Sequence, residues 1–204
     1  MIVRRAPVAG LLIACCVTLA ACSGGGITVD AARKAATAAG PTPTGCPVPY
    51  DVSAALSGRP VQPGEVQVQV SKTTTPAPDP LVAQRDQGMS ALDAAAGVAI
   101  DCEYQVAGHT LDTWLVVTPA HAAVAIMAPR ITQAAHLDIV QIQDFLNHQP
   151  AAGEVKLTTG GDVAVARVPV DGDGDASLLV DPDGVVSGDD LSKAAQTLLG
   201  QIHF

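Results

Sequence analysis

The chain has 204 residues, a net charge of −9, and only one Trp, two Tyr and two Phe. An acidic protein is a poor binder of nucleic acid or of anionic lipid headgroups, since these carry negative charge themselves. The scarcity of aromatic side chains argues against stacking sites for bases or sugars. The length after the N-terminal segments allows one domain with a hydrophobic core.

The N-terminal segment has the three parts of a secretory signal peptide. Arg4 and Arg5 are followed by an apolar stretch that ends at Leu19, and then by two alanines. The apolar stretch is shorter than the roughly 20 residues that a membrane-spanning helix requires. We therefore expect residues 1–21 to be removed from the mature protein. Their loss takes away two positive charges and no negative ones, so the net charge changes from −9 to −11.

Residues 19–22 read Leu-Ala-Ala-Cys, which resembles the lipobox of bacterial lipoproteins. The resemblance implies that Cys22 becomes the mature N-terminus and carries a diacylglyceryl group on its sulfur, commonly with acylation of the new amine. The protein would then be anchored by lipid on the extracytoplasmic face of the cell membrane, because two or three acyl chains hold firmly. The alternative is an ordinary signal peptide that leaves Cys22 as a free thiol.

Residues 22–45 are predicted to be the lipidated N-terminus and a flexible tether. They begin with Ser-Gly-Gly-Gly after Cys22 and end in a Pro/Thr-rich stretch. Residues 30–39 can form a helix, but without a clear apolar stripe this helix would fray in isolation. The folded domain is expected to comprise residues 46–204.

The remaining cysteines predict one disulfide bond. Cys15 and Cys16 leave with the signal peptide and Cys22 is taken by lipid, so only Cys46 and Cys102 remain. In an oxidising compartment a pair without a competitor has one possible connectivity. The alternative is two buried free thiols.

The first half of the domain alternates short helices with strands. Helices are predicted over residues 49–56 and 90–97, the second with Ser90 as its cap. Residues 65–70 and 100–106 alternate between apolar and polar residues, as half-buried strands do. Gly108 and His109 form a turn, after which residues 111–118 return as the second strand of a hairpin.

The second half begins with helices and ends in a strand-rich region. Thr118 and Pro119 suggest a helix start, with Pro129 expected to kink or divide that helix, and residues 137–148 suggest another. Strands are predicted over residues 155–158, 163–170 and 176–180, and a C-terminal helix begins near Ser187. Its apolar residues form a complete stripe, namely Leu191, Ala194, Ala195, Leu198, Leu199 and Ile202. The pattern indicates the α+β class, with a single domain built on a mainly antiparallel sheet covered by helices.

Asp171, Asp173 and Asp175 are weak candidates for a calcium site. Alternating aspartates can direct three carboxylates at one cation, but Ala176 and Pro182 stand where an EF-type loop needs Gly and Glu. A polar turn between two strands explains these residues better. The sequence predicts no metal and no cofactor.

Other candidates for chemistry have structural explanations that we favour. The sequence around Ser90 resembles a nucleophile elbow but has Leu92 where the second glycine belongs, so we interpret Ser90 as a helix cap. Trp114 is expected to be a core residue rather than the aromatic of a ligand pocket. Each histidine is expected to be a surface or capping residue, since no metal-binding spacing occurs among His109, His121, His136, His148 and His203.

The order of elements from Cys46 through Cys102-Glu103-Tyr104 to the C-terminal helix resembles small envelope lipoproteins of mycobacteria and related actinobacteria, many of which carry a domain of unknown function. The resemblance implies no catalytic residue. Some proteins of that group carry acyl lipids in an apolar cavity, and others are accessories to envelope enzymes or transporters. We therefore expect a non-enzymatic binding or accessory module, with an envelope protein or an apolar ligand as partner and no nucleic acid. The alternatives are a carrier of an apolar acyl lipid, with its cavity between sheet and helices, and a hydrolase.

Overall fold

The structure, a computed structural model, describes residues 26–204. The predicted signal peptide and Cys22 lie outside the described residues. Within them the α+β prediction is confirmed, since one antiparallel sheet of six strands lies between helices. The sheet order is β1-β2-β3-β6-β5-β4. The strands are β1 (Val61–Val70), β2 (Val98–Val106), β3 (His109–Thr118), β4 (Val155–Leu157), β5 (Ala164–Arg167) and β6 (Asp175–Asp181).

Helices cover both faces of the sheet. The structure has α1 (Val29–Ala39), α2 (Val52–Ala55), α3 (Pro80–Gln87), α4 (Ala91–Ala94), α5 (Ala123–Ala134), α6 (Ile139–Asn147) and α7 (Gly188–Leu199). Buried residues of α1, α2 and α7 form one apolar cluster with the sheet, and those of α4, α5 and α6 form a second cluster on the opposite face. None of these helices within residues 26–204 is both long enough and apolar enough to cross a membrane.

Alternation along the strands explains why the sheet is buried on both faces. In β6, Leu178 and Val180 belong to the cluster under α1 and α7, whereas Leu179 belongs to the cluster under α5. The neighbouring strand β3 divides Leu115 and Val116 between the same two clusters. Because successive side chains of a strand point to opposite faces, a strand between two helical layers needs apolar residues at nearly every position.

The predicted hairpin between β2 and β3 is confirmed, but its turn lies at Ala107 and Gly108 rather than at Gly108 and His109, because His109 already pairs in the sheet. Val106 pairs with His109, and the two residues between them have φ angles of 53° at Ala107 and 87° at Gly108. Positive φ at both central positions gives the type I′ geometry, whose twist matches that of the flanking strands. This turn fixes the register of two central strands.

The predicted tether over residues 22–45 is wrong for residues 27–39, which belong to the folded domain. The Ile27 amide donates to the carbonyl of Pro169 at 3.0 Å, and the Ile27 carbonyl accepts from the amide of Asp171 at 2.8 Å. At Gly26 a Cβ atom would lie 2.7 Å from the Pro169 carbonyl oxygen, so the chain is already in close contact with the domain there. Helix α1 follows, and it buries Ala32 completely against the sheet.

The predicted helix start at Thr118 and Pro119 is also wrong. Thr118 ends β3, where it pairs with Asp175 of β6, and α5 begins only at Ala123. Pairing with β6 therefore extends the strand through the residue that the local pattern assigned to a helix cap. Helix α5 then continues through Pro129, so this proline does not divide it.

The disulfide prediction is confirmed. Cys46 and Cys102 are bonded, with their Cα atoms 5.7 Å apart. Cys102 is fully buried in β2 and Cys46 is half-buried. The bond fastens the segment between α1 and α2 to β2, the strand next to the edge strand β1.

The C-terminal helix is confirmed with its apolar stripe, because all six of the predicted residues are buried. Helices α2, α4 and α6 lie within or close to the segments predicted for them. Helix α3 lies in a region for which the sequence predicts no helix. It contacts α4, and Ala83 is its buried residue.

Candidate functional site

Two polar clefts lie at opposite ends of α5. The first, here called the N-terminal cleft, has a volume of about 480 Å³ and lies where α5 begins. It is lined by His121, Ala122, Val124, Ala125, Leu146, Asn147, Gln149, Arg167 and Asp175. The residues come from the loop before α5, from the end of α6 and from strands β5 and β6.

An arginine paired with a buried carboxylate forms the polar centre of the N-terminal cleft. Nη2 of Arg167 lies 3.1 Å from Oδ1 of Asp175, and the Asp175 side chain is 4% exposed. The other carboxylate oxygen, Oδ2, accepts the backbone N–H of Ala123 at 2.9 Å. The first residue of α5 is thus capped by a side chain from β6, which also suits the positive end of the helix dipole.

His121 completes this group. Nη2 of Arg167 lies 3.2 Å from Nδ1 of His121. Since a guanidinium only donates hydrogen bonds, Nδ1 must be the acceptor and the imidazole proton must lie on Nε2. In this contact the Nε2 atom keeps its N–H for another partner.

The second cleft, here called the acidic cleft, lies where α5 ends and has a volume of about 530 Å³. It is lined by Asp112, Arg130, Gln133, Ala134, His136, Asp162, Asp181, Asp183 and Gly184. Its acidic residues meet because neighbouring strands are in register. Glu103 of β2 pairs with Asp112 of β3, which pairs in turn with Asp181 of β6.

Arg130 is the cation that partly balances these acids. It forms an ion pair with Asp101 and a second one with Asp112, whose Oδ2 lies 3.3 Å from its Nη2. Its guanidinium carbon also lies 5.1 Å from the ring centroid of Trp114, a cation–π distance. Trp114 itself is partly buried at the margin of the apolar cluster under α5, which places it between the core and this cleft.

Burial raises the pKa of Asp112 to about 6. Arg130 opposes this shift, while the negative charges of Asp101, Glu103 and Asp181 add to it. Asp101, Asp112 and Asp175 each have one carboxylate oxygen that is buried without a hydrogen-bond partner in the described structure, although that of Asp175 keeps its ion pair with Arg167. A carboxyl with a raised pKa inside a cleft is a candidate for binding or proton exchange.

The three aspartates of the calcium hypothesis lie in different surroundings. Asp175 points to Arg167 and α5, whereas Asp171 and Asp173 line a separate cleft beside α1, together with Asp30 and Arg33. Among residues 26–204 no group of three or more His, Cys, Asp or Glu side chains is placed to hold a metal ion.

Ser90 is a helix cap, as predicted. Its Oγ accepts the backbone N–H of Asp93 at 3.0 Å and donates to the Asp93 carboxylate at 2.8 Å. His148 is a capping residue at the end of α6, where its Nδ1 lies 3.0 Å from the carbonyl oxygen of Asp144. His121 and His136 line the two clefts instead.

Sequence reasoning missed the groups formed around Arg167 and Arg130. His121, Arg167 and Asp175 lie on three separate segments, and Arg130 is far in sequence from Asp101. No local spacing therefore marks either group. One signal was available. Asp101 in β2 and Asp112 in β3 lie on the same face of the sheet as Val116, and charged residues are unusual in strands that are otherwise buried.

Comparison of the chain with protein-family models, with curated proteins and with solved structures gives no match.

Proposed function

We propose that this protein is a membrane-anchored extracytoplasmic lipoprotein that acts as a non-enzymatic binding or accessory module at the cell envelope. The lipobox-like residues 19–22 support the anchor, and the disulfide between Cys46 and Cys102 suits an oxidising compartment. The partner is an envelope protein or a small ligand.

The observation that carries this proposal is the position at which the fold begins. Ile27, five positions after Cys22, is already hydrogen-bonded to Pro169 and Asp171. Five residues span at most about 18 Å even when fully extended. A lipid on Cys22 would therefore keep the domain beside the membrane, where it can present its clefts to other components of the envelope.

Binding is favoured over catalysis by the roles of the polar side chains. Ser90, the candidate nucleophile of a hydrolase, is the N-cap of α4, and its hydroxyl is hydrogen-bonded to the backbone N–H and the carboxylate of Asp93. The two clefts at the ends of α5 instead hold arginines that buried or half-buried carboxylates keep in position. Such preorganised charges suit recognition of a polar ligand.

An apolar carrier has less support. That hypothesis requires a cavity between the sheet and the helices, and the residues at this interface are buried and packed in two apolar clusters. An apolar groove of about 490 Å³ does occur, but on the outer surface of α1, where Ala35, Pro47 and Phe204 contribute to it. Native mass spectrometry of the purified protein separates the two possibilities, because a carrier retains a noncovalent acyl lipid in addition to the covalent anchor.

Metabolic labelling with a fatty-acid analogue tests the anchor. We expect the full chain to incorporate the label and the Cys22→Ala variant to lose it and to leave the membrane fraction. Cys16→Ala is the matched control, because it removes a cysteine of the signal segment and should leave labelling unchanged. Label that persists on the Cys22→Ala variant would contradict the proposed anchor.

A further inference from the structure

We propose that the N-terminal cleft binds the carboxylate group of a small extracytoplasmic ligand, and that Arg167 recognises this group. This ligand class rests on the proposed function above in one respect, namely that the protein meets its ligand outside the cytoplasm. The chemistry itself follows from the residues of the cleft.

Arg167 has unused hydrogen-bonding capacity that faces a cleft. A guanidinium has five N–H donors, and both contacts of this one to other side chains within residues 26–204 involve Nη2. The side chain is 27% exposed, so Nε and Nη1 remain available to a ligand. Each of these two atoms can donate a charge-assisted hydrogen bond to a carboxylate oxygen, and such a bond is stronger than one between neutral groups.

The arginine is held in place before any ligand arrives. The carboxylate of Asp175 is almost completely buried and is fixed by the N–H of Ala123 on the opposite side from Arg167. His121 contacts the same Nη2 atom and keeps an N–H at Nε2. Because the side chains are already ordered, a ligand would not bear the full entropy cost of fixing them.

The charge of the site favours a monoanion. The positive charge of Arg167 is offset by the carboxylate of Asp175. The protein as a whole is also acidic. A doubly charged phosphate would meet more repulsion here than a singly charged carboxylate, so the carboxylate is the better match.

The remainder of the cleft indicates the body of the ligand. Ala122 and Leu146 provide apolar contacts, and Asn147 and Gln149 provide amide groups that can donate and accept hydrogen bonds. A volume of about 480 Å³ lies in the range of small-molecule sites. A short apolar side chain next to an amide and a carboxylate fits this lining, as in an N-acylated amino acid or the C-terminal residue of a peptide.

The test is a titration of the full-length protein, purified in detergent, followed by NMR of its backbone amides. The probes are N-acetyl-L-leucine and N-acetyl-L-leucinamide, which differ only in the carboxylate. We expect the acid to shift signals at the start of α5 and around Arg167, and the amide to bind at least about tenfold more weakly. Inorganic phosphate as a third probe distinguishes carboxylate recognition from general anion binding.

Arg167→Gln should weaken binding of the acid about tenfold to a hundredfold, the value of a charged hydrogen bond. Arg85→Gln is the matched control, since Arg85 is exposed and its ion-pair partner within residues 26–204 is its neighbour Asp86. An N-acetylated dipeptide acid and its amide added to the same series show whether a peptide C-terminus or a single amino acid is preferred.

A second pair of variants keeps the ion pair intact, in case loss of Arg167 unfolds the protein. Ala125 is exposed in the first turn of α5 and lines the cleft. Ala125→Glu should abolish binding of the acid, because it adds a negative charge that the helix N-terminus tolerates well. Ala125→Gln, of nearly the same size, should retain binding.

Equal affinity for acid and amide, unchanged affinity in the Ala125→Glu variant, or no binding of the acid up to about 10 mM would each overturn the inference. Phosphate binding tighter than that of the acid would also overturn it. These outcomes are separable from the lipid anchor, because labelling of Cys22 is measured independently of the titration. Failure of the titration with normal labelling removes only the carboxylate site.

Discussion

Two aspartates on the α5 side of the sheet show how surroundings decide the behaviour of a carboxyl group. Asp175 is almost fully buried, yet its carboxylate meets both Arg167 and the N–H of Ala123. Asp112 is less buried, but it shares Arg130 with Asp101 and has other acids nearby. The ionised form of Asp112 is therefore incompletely compensated, and burial raises its pKa to about 6.

The raised pKa of Asp112 predicts a pH-dependent cost to stability. A carboxyl whose pKa is higher in the folded protein than in the unfolded chain binds more protons when folded, so its contribution to stability is present below about pH 4 and is lost as the pH rises through 6. We expect Asp112→Asn to raise the free energy of unfolding by about 1–2 kcal/mol near pH 7.5, after allowance for solvent screening, and by little near pH 4.5. Urea unfolding at both pH values measures this difference.

Asp101→Asn provides the contrast. Asp101 makes the closer ion pair with Arg130, and its replacement leaves that half-buried guanidinium with Asp112 as its remaining carboxylate partner. We expect this variant to be destabilised near neutral pH. If Asp101→Asn raised the free energy of unfolding and Asp112→Asn did not, the carboxylate that destabilises the fold when ionised would be Asp101, not Asp112.

Arg33 provides a polar side-chain attachment of helix α1 to the domain. The guanidinium of Arg33 donates to the carbonyl oxygens of Ser71 and Ala96, both at 2.7 Å, and to that of Thr73 at 3.1 Å. These carbonyls belong to the loop after β1 and the turn before β2. Arg33 therefore joins the first helix to two segments that lie far from it in sequence.

We expect Arg33→Met to lower the free energy of unfolding by about 2–4 kcal/mol, because several charged hydrogen bonds are lost and half-buried carbonyls lose their partner. Lys34→Met is the matched control, since Lys34 is exposed on the same helix. Urea unfolding of both variants gives the comparison. Equal stability of the two would show that α1 is held by its apolar contacts alone.

Local sequence patterns correctly predict the elements whose apolar residues recur at a regular spacing or that adjoin a glycine-containing turn. The alternation in β1 and β2, the hairpin at Gly108 and the stripe of α7 all have such signals. Helix α1 has none, because its buried residues are Ala32 and Ala36 and its polar anchors lie elsewhere in the chain. Small side chains contribute little to an apolar stripe, so docking of this helix was not visible in the sequence.

The start of α5 illustrates a second limit. Thr118 and Pro119 have the local composition of a helix start, but pairing between Thr118 and Asp175 keeps the chain in the sheet. The cap that does operate is the Asp175 carboxylate on the N–H of Ala123, 52 positions away in sequence. His121 and Arg167 of the N-terminal cleft are likewise 46 positions apart, so the chemistry of this cleft becomes visible only in the fold.

The disulfide stabilises the domain across one of its larger loops. Cys46 and Cys102 are separated by 56 positions, for which loop entropy gives about 4 kcal/mol. We expect the double variant Cys46→Ala/Cys102→Ala to lose stability by about this amount in urea unfolding. A reducing agent should lower the stability of the unaltered protein and leave the double variant unchanged, and equal sensitivity of both would argue against this role.

The backbone contact between residue 27 and residues 169–171 also affects the order in which a newly made chain can fold. Ile27 and its bridge partner Val170 are 143 positions apart. At a synthesis rate of about 5–20 residues per second, roughly 7–30 s pass between the two. Until then α1 lacks its backbone attachment, and a helix of 11 residues is marginal on its own. Helix α1, the first helix to be made, therefore gains its contacts in two stages. Arg33 can bind the carbonyls of Ser71 and Ala96 early, whereas the backbone bridge of Ile27 must wait for Val170.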